Sequence, residues 1–299
     1  MNNKVTITGS TGFIGTNLKE KLSSQFEIID LSLRYKEAQN ITFGSYSVIH
    51  LAGISDDLSG KYSYEDYFKS NYELTKQVFD GFLNSNSEIF IYVSSVKAVA
   101  DSVNEVLTES TAPKPLSHYG KTKLLSENYI MDQQIPKNKK VFILRPCMIH
   151  GPHNKGNLNL LYKLCNIGLP WPLGIYENKR SFCCIDNFSF VINQLLTKDN
   201  IKSGIFNVSD DLSISTNDLI RLIFKFQKKN PKILKVPIFI IKLMIFFGDF
   251  LKLPLNSKSL KKLTESYEVS NKKLKKNLSL KSMPISLNNG LESTFNYFK

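Results

Sequence analysis

The stretch that most constrains this chain is Val5 to Gly15, VTITGSTGFIG. Val5-Thr6-Ile7-Thr8 is a β-branched run, and branching at Cβ favours a packed, pleated strand. Gly9, Gly12 and Gly15 follow with G-x-x-G-x-x-G spacing, and an amphipathic run extends from Phe13 to Leu22. A strand, a glycine turn and a helix start, in that order, let a pyrophosphate approach the backbone. There it meets free N–H groups and the positive end of the helix dipole. A second strand, Glu27-Ile28-Ile29, ends at Asp30, where a carboxylate can accept hydrogen bonds from an adenosine ribose. Gly9, Gly12, Phe13, Ile14, Gly15 and Asp30 are therefore candidate cofactor contacts.

After Asp30, strand and helix signals alternate without repeats or low-complexity linkers, which predicts a parallel sheet covered by helices. The expected fold is α/β, a Rossmann-type doubly wound parallel sheet with a smaller C-terminal α/β substrate lobe. The expected division is a dinucleotide-binding domain at 1–153, with a return segment at about 181–210, and a lobe at 154–180 and 211–299. Ser47 to Gly53 reads as a strand ending in a small-residue turn, and Leu51, Ala52 and Gly53 would face the cofactor there. Tyr67 to Leu83 is a predicted helix carrying Asn71, and Glu88 to Ser95 is a further strand delivering Ser94 and Ser95. Val141 to Leu144 and Ser203 to Val208 read as strands, Cys183-Cys184-Ile185 as a short one ending at Asp186. Asp211 to Phe226 reads as a helix.

His118 opens a helix running to about Met131, in which Tyr119 and Lys123 lie one turn apart on the same face. Moving a hydride to or from a carbinol carbon requires a proton to leave or join its oxygen. A tyrosine, with a free pKa of ~10, is too weakly acidic for that task alone. A neighbouring ammonium stabilises the phenolate, and the hydroxyl of Ser95 can hold the substrate oxygen. Tyr119, Lys123 and Ser95 are the expected catalytic set, and Lys123 can also bond the nicotinamide ribose.

The formal net charge of +13 is unevenly placed. From Arg221 to Lys299 there are 17 Lys+Arg against 4 Asp+Glu, whereas the first 220 residues balance. That region lacks the interleaved aromatics of a nucleic-acid platform, so no nucleic-acid partner is expected. It suits either a solvated face or weak peripheral contact with an anionic membrane. The most apolar run, Ile238 to Leu251, contains Lys242 and Asp249 and is too short to span a bilayer. Cys147, Cys165, Cys183 and Cys184 form no C-x-x-C pair, which predicts reduced thiols. With a strand starting at once and no room for a signal peptide, the expected location is cytoplasmic. His150 and His153 are separated by Gly151-Pro152, which breaks a helix, so no metal site is expected.

Taken together, T-G-S-T-G-F-I-G at 8–15, H-L-A-G at 50–53, Asn71, V-S-S at 93–95, Y-G-K-T-K at 119–123 and L-R-P at 144–146 resemble the extended short-chain dehydrogenase/reductases, the NAD-dependent epimerase/dehydratase family. The resemblance implies action on nucleotide sugars, with Asn71 at the cofactor and with Tyr119, Lys123 and Ser95 at the sugar hydroxyl. Ser94 is the register alternative. Asn157 falls where such enzymes hold the nucleotide sugar, and Arg180 in R-S-F looks like the residue gripping its diphosphate, as a guanidinium can with two parallel bonds. G-L-P-W-P-L-G at 168–174 is similar to bacterial reductases of UDP-4-keto-6-deoxy-N-acetylhexosamines, the type that forms UDP-N-acetylquinovosamine, in polysaccharide synthesis. Val96-Lys97 stands where dehydratases of the family carry carboxylates, which argues against elimination of water. The leading expectation is a 4-keto reductase or dehydrogenase on a UDP-linked amino sugar. The alternatives are a UDP-hexose 4-epimerase and, on the same fold, a non-catalytic dinucleotide sensor. Asp30 favours NAD by repelling a 2′-phosphate, while Arg34 leaves NADP open. A homodimer, through helices including the one carrying Tyr119, is the family expectation.

Overall fold

The computed structural model of the chain describes residues 3–298 apart from 56–59, 155 and 252–255. In chain order the first half comprises β1 (Lys4–Thr8), α1 (Phe13–Leu22), β2 (Glu27–Leu31), β3 (Ser47–His50), α2 (Tyr64–Tyr67), a π turn (Phe68–Glu73), α3 (Leu74–Leu83), β4 (Ile89–Val93), α4 (His118–Asp132) and β5 (Lys140–Pro146). The second comprises β6 (Met148–His150), α5 (Asn157–Asn166), β7 (Arg180–Cys184), α6 (Ile185–Thr197), β8 (Gly204–Val208), β9 (Ser213–Ile214), α7 (Thr216–Phe226), α8 (Ile238–Phe250), α9 (Ser257–Thr264), α10 (Lys272–Leu278) and α11 (Leu287–Phe298).

Six strands form one sheet in the order β2-β1-β3-β4-β5-β8, and every neighbouring pair is parallel. Successive side chains of a strand point to opposite faces, so strands buried on both faces read as unbroken apolar runs. Ile7, Ile49, Ile91, Phe142 and Leu144 accordingly join one core, beneath Leu18 and Leu22 of α1 and Phe188, Val191 and Leu195 of α6. Val48, Phe90, Tyr92, Val141 and Ile143 join the other, beneath Val78, Phe79 and Phe82 of α3 and Ile130 of α4. Helices on both faces make the fold Rossmann-like and doubly wound.

A separate apolar core gathers Leu161 of α5, Trp171, Phe182, Ile223 of α7, Ile241 and Ile245 of α8, and Phe295 of α11. Beside it lies a small sheet in which β6 pairs parallel with β7, and β7 antiparallel with β9. The chain after residue 211 is not confined to this core: Leu274, Leu278 and Met283 pack into the core of the large sheet.

The structure departs from the sequence reading at several local points. No helix connects β2 to β3; residues 32–46 cross irregularly, anchored by buried Ile41 and Phe43. Ile185 begins α6 instead of ending a strand. Helix α7 starts at Thr216 rather than Asp211, because Ser213 and Ile214 pair with β7 and Ser215 caps the helix by accepting from Asp218 N–H at 2.9 Å. The helix expected over 67–83 is interrupted by the π turn.

Candidate active site

Strands β1 and β3 lie side by side, with β2 on one flank and β4 on the other. The strand order reverses there, which opens a crevice at the carboxyl ends of β1 and β3. The Gly9–Gly12 turn and the Leu51–Gly53 turn form its two lips. Gly9 has φ +68°, and a Cβ there would lie 2.8 Å from Ala52 N, so the fold itself demands glycine. Gly12 differs. It is the N-cap of α1 without a side-chain cap bond, and a Cβ would touch only Gly9 O at 3.4 Å. Packing does not require glycine at 12, and the helix start beyond it has no side-chain cap, which leaves room for a ligand to approach. This cradle fits the phosphates of a dinucleotide. Gly12→Ala is expected to lower Tm by only a few degrees, since the N-cap change costs about 1 kcal/mol. Dinucleotide affinity should fall at least about tenfold, measured by titration calorimetry beside a thermal melt.

Phe13 and Ile14 open α1 and pack partly buried against the core. Asp30 near the end of β2 is half exposed and ion-paired with Lys19 of α1, so a ribose at this carboxylate shares it with a lysine.

A hydrogen-bond chain, not evident from the motifs, holds the two lips together. Thr8 Oγ1 accepts from Leu51 and Ala52 N–H, both at 3.2 Å, and donates to His50 Nδ1 at 2.7 Å. Thr75 donates to Asn71 O at 2.5 Å, so its oxygen is left to accept from His50 Nε2–H at 3.0 Å. Burial, reinforced by the charge of Lys123, pushes the His50 pKa down to about 3. The ring is neutral, and each of its nitrogens is used.

The π turn explains Asn71. Its wider winding leaves the Asn71 carbonyl to accept from Thr75 and from Ser126 Oγ of α4, the latter at 2.9 Å. The fully buried Asn71 amide clamps the second lip: Oδ1 accepts from Ile54 N–H at 2.7 Å, and Nδ2 donates to Ile54 O at 3.0 Å. Gly53 lies against it, where a Cβ would meet Asn71 Oδ1 at 2.4 Å. Asn71 thus shapes the second lip from behind.

Helix α4 is capped by Ser117, whose Oγ accepts from Gly120 N–H at 3.2 Å. Tyr119 is partly exposed and Lys123 buried. The Lys123 ammonium donates to Val93 O at 3.0 Å and lies 4.9 Å from the Tyr92 ring centroid and 5.9 Å from that of Tyr119. Cation and phenol are brought together as their spacing suggests. Ser95, at the end of the β4 segment, is partly exposed and caps a short 3₁₀ turn by accepting from Lys97 N–H at 3.2 Å. Ser94 is turned inward and buried, donating to Glu127 Oε1 at 2.5 Å. Of the two registers, Ser95 is the one nearer solvent.

Glu127 extends the face of Tyr119 and Lys123 by one further turn. Its carboxylate receives Arg145 Nε at 3.0 and 3.1 Å and Nη2 at 2.5 Å, and both side chains are buried. This forked pair bolts α4 to β5. The arginine of L-R-P was visible in the sequence; its partner was signalled only by the four-residue step from Lys123.

Asn157 opens α5, and Arg180 opens β7. The largely buried Arg180 guanidinium donates to Lys262 O and has no carboxylate within ion-pair distance among the described residues. Burial lowers its pKa. His150 and His153 face different partners, Thr294 at 2.9 Å and Tyr297 at 2.8 Å.

The arrangement suits proton transfer at a carbinol oxygen. Burial pulls the Lys123 pKa down to about 8, with Glu127 acting in the opposite direction. The ammonium form, which stabilises a Tyr119 phenolate, therefore prevails below about pH 8 and is lost above it. The kcat profile is expected to show an alkaline fall with a midpoint near that value. Glu127→Gln removes the charge that raises the pKa, so it should move the fall to lower pH. Steady-state rates at saturating substrate measure both.

The model for the NAD dependent epimerase/dehydratase family matches residues 5–209. The chain is 27% identical to UDP-glucose 4-epimerase of Vibrio cholerae, covering 100% of this chain and 96% of that protein. It is 26% identical to N-acetyl-alpha-D-glucosaminyl-diphospho-ditrans,octacis-undecaprenol 4-epimerase of Escherichia coli O157:H7, over 74% of this chain and 71% of that one. Among solved structures, UDP-glucuronic acid 4-epimerase of Bacillus cereus in complex with NAD superposes with TM-score 0.73 at 22% identity, covering 99% of this chain and 98% of that one. With its motif cradle and its tyrosine–lysine helix on the segment that the family model spans, the chain belongs to the NAD dependent epimerase/dehydratase family.

Proposed function

We propose that this protein is a 4-epimerase of a UDP-linked hexose or N-acetylhexosamine. Proton transfer at one carbinol oxygen, common to an epimerase and a reductase, is supported by a site with one tyrosine–lysine pair and one strand-end hydroxyl; the likeness to 4-epimerases carries the choice between them. Val96 and Lys97 stand where an eliminating enzyme needs carboxylates. Such a site handles a single proton at a single oxygen. A dinucleotide held in the cradle would supply the hydride acceptor and donor. Tyr119 removes the C4 hydroxyl proton and later restores it, Lys123 holds the charge that develops on Tyr119, and Ser95 hydrogen-bonds the C4 oxygen. Rotation of the 4-keto sugar between the two transfers inverts the carbon. Arg180 would pair with the diphosphate, and Asn157 would lie beside the nucleotide sugar, in the lobe assigned to 154–180 and 211–299. A homodimer through helices including α4 belongs to this reading.

The 4-keto reductase expected first from the sequence uses the same side chains and is the second reading. The likeness to two curated 4-epimerases, one along the full chain, supports the order given. The deciding experiment incubates the purified protein with UDP-GlcNAc or UDP-glucose and no added cofactor. The 4-epimer should appear, with NAD released on denaturing the enzyme. If no epimer forms while UDP-4-keto-6-deoxy-GlcNAc is reduced with stoichiometric loss of NADH or NADPH, the protein is the reductase.

A further inference from the structure

Helix α8 is apolar apart from Lys242 and Asp249, yet only Ile241, Ile245 and Gly248 are buried, in one narrow stripe against the second apolar core. Phe239 is 72% exposed, Phe246 66% and Phe250 79%, with Leu243, Phe247 and Leu251 also open. At roughly 200 Å² per large side chain, these six present on the order of 750 Å² of apolar surface, above the roughly 300–600 Å² of a typical largest patch. A helix apolar over most of its circumference belongs in a core or in lipid. This one, among the described residues, has no core on its outer side.

The charge around it is of one sign. Residues 221–248 hold seven Lys+Arg and no Asp or Glu. Lys225, Lys228, Lys232, Lys235 and Lys242 are exposed. The acid in α8 itself, Asp249, is engaged by Ser257 at the start of α9, accepting from its N–H at 2.9 Å and its Oγ at 2.5 Å. Among the described residues no helix is long and apolar enough to cross a membrane.

We propose that α8 and its lysine fringe dock the protein on an anionic lipid bilayer, with α8 lying in the plane of the headgroup–acyl boundary. Aromatic and aliphatic side chains enter the acyl region, and the lysines meet the negative headgroups. Charge decides against a second copy of the chain as the occupant. A twofold interface sets the same patch against itself, which would oppose two lysine fringes across an apolar seam. A lipid surface removes the apolar area and neutralises the fringe together. The inference is independent of which sugar is turned over.

The test is co-sedimentation of the full chain with phosphatidylcholine vesicles and with vesicles containing phosphatidylglycerol. Binding is expected to the anionic vesicles, weakening with salt. The exposed triple variant Phe239→Ser, Phe246→Ser, Phe250→Ser should keep its melting temperature and turnover and lose at least about tenfold in partitioning. Lys232→Glu with Lys235→Glu should weaken binding to anionic vesicles selectively. Two results overturn the proposal: wild type that sediments with neither vesicle, or a triple variant that binds vesicles as wild type does. A change from dimer to monomer in the triple variant, with no vesicle binding by wild type, assigns the face to a second copy instead.

Discussion

Tyr119→Phe is expected to lower kcat by about 10²–10⁴-fold, the usual contribution of a positioned general acid–base group. The substitution removes one oxygen from a partly exposed side chain. The packing of α4 rests elsewhere, on Thr122, Lys123, Ser126, Glu127 and Ile130. Dinucleotide affinity and melting temperature should therefore stay near wild type while turnover collapses. That separation is informative because Lys123→Met would disturb more at once. Lys123 is buried, donates to Val93 O and adds to the field that keeps His50 neutral. Single-turnover measurement of the C4 redox step, with a cofactor-binding titration on the same sample, checks the prediction. A Tyr119→Phe enzyme retaining more than about a tenth of wild-type turnover would remove the tyrosine from the proton-transfer role.

The second large effect concerns stability. Glu127→Ala leaves the Arg145 guanidinium buried without its counter-charge, and breaking a buried pair in this way costs about 3–5 kcal/mol. At about 2–4 °C per kcal/mol for a large single chain, Tm should fall by roughly 6–20 °C. Ser94 loses its acceptor in the same variant. Replacing both partners, Glu127→Leu with Arg145→Met, should recover much of the loss, because the cost arises from the orphaned charge more than from the missing attraction. Thermal melts of the single and double variants provide the comparison. Equal losses in both would mean that the pair contributes through packing alone. If the double variant is stable but slow, the bolt between α4 and β5 positions Tyr119 and Lys123 rather than merely holding the helix.

What was legible from residues alone has a common basis: it depends on near neighbours in the chain. Glycine spacing after a β-branched run marks a strand, turn and helix. A four-residue step places Tyr119 and Lys123 on one face, and unbroken apolar runs announce strands buried on both sides. Helix α1 runs from Phe13 to Leu22, the limits that the amphipathic pattern suggests. Boundaries were less legible wherever a distant partner decides them. Ser213 and Ile214 became a strand because β7 lies beside them, and propensity within 211–226 carries no sign of that pairing. The Asn71 carbonyl in the π turn likewise accepts from Ser126, fifty-five residues away, as well as from nearby Thr75.

By itself the sequence determined the fold class, the glycine cradle and the placing of Tyr119 and Lys123 on one helix face, because these follow from local periodicity and from residue types with few other uses together. Only the tertiary structure decided which serine faces solvent, that His50 stays neutral between Thr8 and Thr75, and that Glu127 meets Arg145. It alone also decided that α8, read from sequence as a short apolar segment, keeps most of its surface outside the core. Each of these depends on what a side chain meets across a sheet or between helices, and desolvation and hydrogen-bond satisfaction are settled only where those neighbours are in place.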